Sequence, residues 1–264
     1  MTNPHGTPIW YELLTPDHAT AKRFYDAAIG WRIGDRPDGP VDYRMIDAGS
    51  NDPGGNVGGA MQLTDEMTAG GARPGWLFYI GVDDVDATAD RITKAGGSVL
   101  MPPFDLPGVG RMAFVTDPQG APFYIMRGAV EGAESTAFAA GRPGHASWHE
   151  LFTDDASAAL GFYREVFGWE SPGSMPMGPG RDYHFLHVGD RVLGGLGPSS
   201  EPGQPPRWRF YFEVADLDAA IERIGTGGGA VTSGPHEVPG GSRMIQGIDP
   251  TGAAFALVSA PKEK

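Results

Sequence analysis

Residues 10–31 read WYELLTPDHATAKRFYDAAIGW, and residues 148–169 read WHELFTDDASAALGFYREVFGW. Ten of these twenty-two positions are identical at a constant offset of 138. An internal repeat settles the architecture before local propensity does, because each copy must be the same kind of folding unit. Working outward, residues 76–87 (WLFYIGVDDVDA) return as residues 208–219 (WRFYFEVADLDA). Pro107, Gly108, Arg111, Met112, Asp117, Pro118, Gly120 and Phe123 return as Pro239, Gly240, Arg243, Met244, Asp249, Pro250, Gly252 and Phe255. The chain therefore divides into a first domain over residues 1–128, a linker over 129–145 and a second domain over 146–264. The linker is rich in Gly and Ala without periodicity, a composition typical of connecting segments.

Within one copy a finer unit repeats. An apolar strand at 10–14 leads into a helix with Thr15 as the expected N-cap, Pro16 at the first helical position and Gly30 as the left-handed stop. Ala21, Phe24, Ala28 and Ile29 form its apolar face at helical spacing. Strands follow at 43–47 and 58–63. The order then restarts, with a strand at 77–82, a helix at 85–95 stopped by Gly96 and Gly97, and strands at 98–101, 111–116 and 123–126. Each copy is two βαβββ modules, the chain has four, and the fold class is α+β.

Bulk composition narrows the function. Among 264 residues, 41 are Gly and 24 Pro, but 10% are aromatic and the amphipathic patterns are clean, so these residues read as turns between short strands. The net charge of −13 is evenly shared, with ten Lys and Arg against sixteen Asp and Glu in residues 1–130, and ten against seventeen thereafter. No basic stripe exists to neutralise phosphates or dock on an anionic membrane, so neither nucleic acid nor membrane is an expected partner. The absence of Cys excludes disulfides, thiolate nucleophiles and Cys-ligated zinc. Residues 1–6 lack the basic flank and apolar core of a signal peptide, and no apolar run reaches membrane-spanning length. The expectation is a cytoplasmic monomer or homodimer. The Gly-rich pieces GGNVGG and GPGRDY match neither a dinucleotide fingerprint nor a phosphate-binding loop.

The strand, the Thr-Pro-Asp or Thr-Asp-Asp, the Phe-Tyr-bearing helix and its Gly-Trp ending (Phe24, Tyr25, Gly30, Trp31; Phe162, Tyr163, Gly168, Trp169) resemble the opening of vicinal oxygen chelate domains. That superfamily comprises the glyoxalase, bleomycin-resistance and extradiol-dioxygenase folds. Asp117-Pro118-Gln119-Gly120 and Asp249-Pro250-Thr251-Gly252 resemble the family's closing turn. The resemblance covers nearly the whole chain outside the linker, and is nearest to the tandem glyoxalase-like proteins of bacteria. It implies paired modules curling into a half-barrel cup around a small-molecule cavity. In many members that cavity holds a divalent metal gripped by His, Gln or Glu from the first and last strands of the modules. Those positions fall here on Trp10 and Trp148, on Leu77 and Arg209, on Tyr124 and Ala256, and, less securely, near Met61 and Leu196. Only the Tyr124 phenol offers an oxygen, whereas a metal site needs several converging N or O donors. No metal and no other cofactor is expected.

Strand alternation places Trp10 and Glu12 on one cavity face, with Tyr79 and Tyr124, and places Trp148, Glu150, Arg209, Tyr211 and Glu213 on the other. Glu12 and Glu150, each a carboxylate beside a large aromatic, are candidate acid–base groups, or else members of ion pairs. Trp10, Tyr79, Tyr124, Trp148, Arg209 and Tyr211 are candidate ligand contacts, or else core. Arg209 suits an anionic substrate group, or a pairing with Glu150 or Glu213. Arg111 and Arg243 recur in both copies and read as structural ion pairs. Of the histidines, His5 and His145 fall in flexible segments before strands, His18 on a solvent-facing first helical turn, and His149 on the face away from the cavity. His184 and His187 fall on opposite faces of a strand, and His236 stands where the first copy has Phe104. The leading functional expectation is metal-free binding of an aromatic or planar small molecule. A lyase, isomerase or hydroxylase-like enzyme using Glu12 or Glu150 comes next, then a metal-dependent glyoxalase or dioxygenase with shifted ligands.

Overall fold

The computed structural model describes residues 3–261 apart from 40, 53, 54, 180, 200–202 and 204. The first copy runs β1 (Thr7–Thr15), α1 (His18–Ala28), β2 (Arg32–Ile33), β3 (Tyr43–Asp47), β4 (Asn56–Gln62), α2 (Asp65–Ala69), β5 (Gly75–Gly81), α3 (Val85–Lys94), β6 (Ser98–Leu106), β7 (Gly110–Thr116) and β8 (Pro122–Gly128). The second runs β9 (Ala146–Thr153), α4 (Ala156–Phe167), β10 (Ser174–Pro176), β11 (Asp182–Val188), β12 (Arg191–Pro198), β13 (Arg207–Glu213), α5 (Leu217–Thr226), β14 (Ala230–Glu237), β15 (Arg243–Ile248) and β16 (Ala254–Ser259). Each copy builds one open eight-stranded sheet, in the orders β2-β3-β4-β1-β5-β8-β7-β6 and β10-β11-β12-β9-β13-β16-β15-β14. The first strand of every module runs parallel to its last, as a βαβββ unit requires. The expected tandem α+β architecture is the one observed.

Helix α1 starts two residues later than the sequence implies. Asp17, in extended conformation, is the N-cap and accepts from the Thr20 amide, while Thr15 ends the strand and its hydroxyl accepts from the Asp17 amide. The same Asp cap opens α3, α4 and α5 at Asp84, Asp155 and Asp216. Gly30 does turn left-handed after α1, at φ 89°.

The compact units do not follow the two copies. One comprises Met1–Ile9, Phe78–Ser135 and Trp148–Arg209, and the other Trp10–Leu77, Thr136–Ser147 and Phe210–Lys264. Each unit thus joins a module from one copy to a module from the other, with α1 packed on α5 in one and α3 on α4 in the other. The residues that do this joining are the repeat motifs themselves. Tyr25 donates its hydroxyl to Asp249 at 2.9 Å and accepts from the Trp76 indole at 3.1 Å. Tyr163 donates to Asp117 at 3.2 Å and accepts from Trp208 at 2.9 Å. Both tyrosines are fully buried, so the phenol needs its donor and acceptor partners inside the protein. The Asp of each closing turn therefore serves the helix of the other copy.

The Gly-Trp endings do the same. The Trp31 indole donates to the Gly144 carbonyl at 2.7 Å, just before β9, and Trp169 donates to Gly6 at 2.8 Å, just before β1. Residues 136–147 are consequently built into a unit rather than strung between domains. Ala137 and His145 are wholly buried, and Arg142 pairs with Asp52 at 2.8 Å. Among the described residues, no helix is long and apolar enough to cross a membrane.

Candidate functional site

Strand β9 alternates cleanly. His149, Leu151 and Thr153 are buried, while Trp148, Glu150 and Phe152 on the opposite face are partly accessible. On that accessible face, the Trp148 indole donates to the Tyr183 hydroxyl at 3.0 Å, and Tyr183 donates to Glu150 Oε1 at 3.0 Å. Arg209 completes the chain from β13, donating to Glu150 Oε2 at 3.2 Å. Tyr183 was not among the candidates from sequence, and a glycine explains its reach. Gly195 is the register partner of Glu150, and a Cβ there would lie 2.0 Å from the Tyr183 ring. Tyr183 sits on β11 and crosses the bare backbone of β12 to meet β9.

The first copy repeats the scaffold without the cation. Trp10 donates to the Tyr43 hydroxyl at 2.7 Å. Gly59, the register partner of Glu12, leaves room for the Tyr43 ring, which a Cβ would meet at 2.2 Å. Glu12 is 1% exposed. Where the second copy has Arg209, the first has Leu77.

The remaining candidates form two further clusters. Tyr79 and Tyr124 are register partners whose rings stack at 4.3 Å and 9°, with Phe114 at 4.6 Å from Tyr124. Their counterparts are Tyr211, Ala256 and Gln246, and here the Gln246 amide donates to the Tyr211 hydroxyl at 3.3 Å. An aromatic ladder in one copy is an amide–phenol contact in the other. Glu213 is not grouped with Arg209. It is 4% exposed, and it takes hydrogen bonds from Ser147 and from the backbone of Ala260 and Gly141. Burial nevertheless pushes its carboxyl above the ordinary range. Arg209 chooses Glu150.

Several histidine expectations change. His18 is buried at 3%, not solvent-facing, with Nε2 at 3.0 Å from the Ala60 carbonyl and Nδ1 at 3.4 Å from Asp42. His145 is fully buried rather than flexible. Its Nδ1 is 2.7 Å from the Thr136 carbonyl, its Nε2 is 3.5 Å from Asp52, and burial lowers its pKa. Both sit where long-range packing closes over an element that looks peripheral in sequence. His149 does face away from the cavity side, with Nδ1–H donating to Leu193 at 2.6 Å, and burial lowers its pKa to about 4. Arg111 pairs with Asp86 at 2.6 Å and Asp105 at 3.1 Å, and Arg243 pairs with Asp218 at 2.9 Å, the structural pairing their recurrence implied.

The family's metal positions can now be tested by their chemistry. The register pairs Leu14 with Met61 and Phe152 with Gly197, so the fourth position of the second copy is Gly197 rather than Leu196. One compact unit carries Trp10, Met61, Leu77 and Ala256 at these positions, and the other carries Tyr124, Trp148, Gly197 and Arg209. Indole N–H, alkyl and guanidinium groups offer no lone pair, so each unit has one donor there, the Met61 thioether or the Tyr124 phenol. A single such donor falls short of the several converging N or O ligands a divalent ion takes. Among the described residues, no group of three or more His, Asp or Glu is arranged to hold a metal.

The sheet order, the four modules and the motif geometry define a tandem glyoxalase-type protein. Residues 8–125 and 142–257 match the model of the glyoxalase/bleomycin resistance protein/dioxygenase superfamily, and the chain belongs to that family. It is 36% identical over 264 residues to CFP32 of Mycobacterium tuberculosis (strain CDC 1551 / Oshkosh), a protein with a provisional glyoxylase name, covering 98% of this chain and 97% of that one. It is 33% identical over 276 residues to the anthracycline biosynthesis protein DnrV of Streptomyces peucetius, covering 96% and 93%. Among solved structures, it shares its fold with the Mn(II)-bound glyoxalase from Novosphingobium aromaticivorans (TM-score 0.65, 16% identity, 99% of this chain and 84% of that one). It shares it likewise with a mutant 4-hydroxymandelate synthase from Streptomyces coelicolor (TM-score 0.64, 14% identity, 99% and 95%).

Proposed function

We propose that this protein binds a small, planar, largely aromatic molecule without the family's metal. The observation that carries this reading is the pair of indoles, Trp10 and Trp148, at the first-strand metal positions, each hydrogen-bonded to a tyrosine lying over a glycine. Such a device holds a flat, partly accessible aromatic surface in one orientation at low entropic cost, a property suited to stacking ligands. The relatives named for anthracycline biosynthesis support the choice of planar polycyclic compounds as first probes. Thermal-shift screening of planar aromatic metabolites and antibiotics tests it. A ligand at a hundredfold excess over its Kd is expected to stabilise the fold by about 2.7 kcal/mol. No shift with any planar compound, together with one or more equivalents of nickel, zinc or iron in protein purified without chelator, would sink this reading.

A second reading is a metal-independent lyase, isomerase or hydroxylase-like enzyme with Glu12 or Glu150 as acid or base. It is favoured by the burial of Glu12 on the same face as Trp10, which sets a carboxylate beside the proposed ligand surface. Glu12→Gln and Glu150→Gln are each expected to abolish turnover. Full activity in the double variant removes the proposal.

A further inference from the structure

We infer that Arg209 makes the second copy a receptor for aromatic carboxylates. This rests on the reading above, that the accessible face of β9 is a ligand surface, and names the ligand class for that copy. A guanidinium carries five N–H donors in a planar fork matched to a carboxylate. Arg209 directs one terminal nitrogen to Glu150 Oε2 at 3.2 Å, end-on, and its side chain is 38% exposed. Among the described residues, its other donors meet no protein acceptor. Glu150 is itself held on its other oxygen by Tyr183, so it fixes the guanidinium in place and leaves one edge of the fork open.

The strand face that carries Glu150 also bears a wall of rings from the same compact unit. Trp148 lies 6.4 Å from Phe185, Tyr183 lies 5.8 Å from Phe185, and Phe152 lies 6.0 Å from Tyr183. Trp148, Phe152 and Phe185 are partly accessible. A ligand with a flat ring and an attached carboxylate satisfies both features, placing its ring on the wall and its two oxygens on the fork. An arginine bridging two carboxylates, one of the protein and one of the ligand, keeps each charge hydrogen-bonded. The first copy has the same Trp, Tyr and Glu but Leu77 in place of the cation, so the carboxylate preference belongs to the second copy.

The test is isothermal titration calorimetry of the full chain with 2-naphthoate and with 2-naphthamide, which share shape and differ in charge. The naphthoate is expected to bind about tenfold more tightly, the size of one charge-assisted bidentate contact at a part-exposed site. Arg209→Leu, the residue the first copy carries, is expected to erase that preference and leave the amide affinity within about threefold. Arg209→Lys keeps the charge but loses the fork, and its preference is expected to fall between the two. Equal affinities in the parent chain, or a preference that survives Arg209→Leu, overturn the inference and leave aromatic binding standing. Failure of both probes to bind overturns both. Should Arg209→Leu not fold, an undiminished preference in Arg209→Lys overturns it.

Discussion

The two copies keep one scaffold and differ in what they hang on it. Trp10 and Trp148, Tyr43 and Tyr183, and Gly59 and Gly195 occupy the same register and make the same contacts. Apart from the shared Glu12 and Glu150, the groups around this scaffold do not match. Leu77 stands where the second copy has Arg209, Tyr11 where it has His149, and the tilted Phe114–Tyr124 pair where it has Gln246 and Ala256. A Trp–Tyr pair over a glycine is thus a mounting whose geometry tolerates exchange of the chemistry beside it.

The largest expected difference lies on the buried face. His149 titrates at about 4 against an ordinary 6.5, because burial penalises its charged form. Its folded pKa is lowered, so the unfolded chain binds the proton first as pH falls, and stability is lost between pH 6.5 and about 4. That gap corresponds to about 3 kcal/mol. Urea melts of the parent and of His149→Tyr, which installs the first copy's residue, should show this acid sensitivity reduced by that amount. An unchanged pH dependence would mean that His149 is not the group responsible.

Next come the two glycines. Gly195→Ala and Gly59→Ala each drive a methyl into a tyrosine ring at 2.0–2.2 Å, and overpacking of this kind is expected to cost about 2–3 kcal/mol by denaturant melt. The comparison sharpens in fluorescence. Both variants should release a tryptophan from its tyrosine partner, whereas only Gly195→Ala should also loosen Glu150 and Arg209. Removing a buried hydroxyl is expected to cost somewhat less. Tyr163→Phe strips Asp117 and Trp208 of a partner at once, and Tyr25→Phe does so for Asp249 and Trp76. A loss of about 1–2 kcal/mol is expected from each. If Tyr163→Phe alone destabilises, the two interlocks are not equivalent. The smallest effect is on stability at the ion pair. Arg209→Leu should change it by less than about 1 kcal/mol, because the pair is part-exposed and screened.

Much of this fold was legible because it is written in periodic and repeated signals. The strand–helix–strand order, the Asp-Pro-x-Gly turns and the left-handed Gly30 all stand in the sequence as local chemistry. The Arg111 and Arg243 ion pairs could be read from their recurrence. What escaped was long-range. Nothing near Tyr25 announces that its hydroxyl meets Asp249, some 224 positions away, because local periodicity encodes which face is buried and not what covers it. His18 was misplaced for the same reason, since the carbonyl of Ala60 and the carboxylate of Asp42 close over an N-terminal turn that is usually wet. Tyr43 and Tyr183 were overlooked although a signal existed. Each copy carries paired glycines in its fourth strand, at 58–59 and 194–195, and Gly within a strand marks a place where another group lies close.

The crossed wiring of Tyr25 to Asp249 and Tyr163 to Asp117 has an evolutionary consequence. It is the pattern two identical subunits would show on exchanging modules, here enclosed in a single polypeptide. A symmetric pair of separate chains must alter both of its binding faces with every mutation. Joined covalently, the halves stay at a high effective concentration for each other, and each face is able to drift alone. Histidine against tyrosine and arginine against leucine are what that liberty has produced.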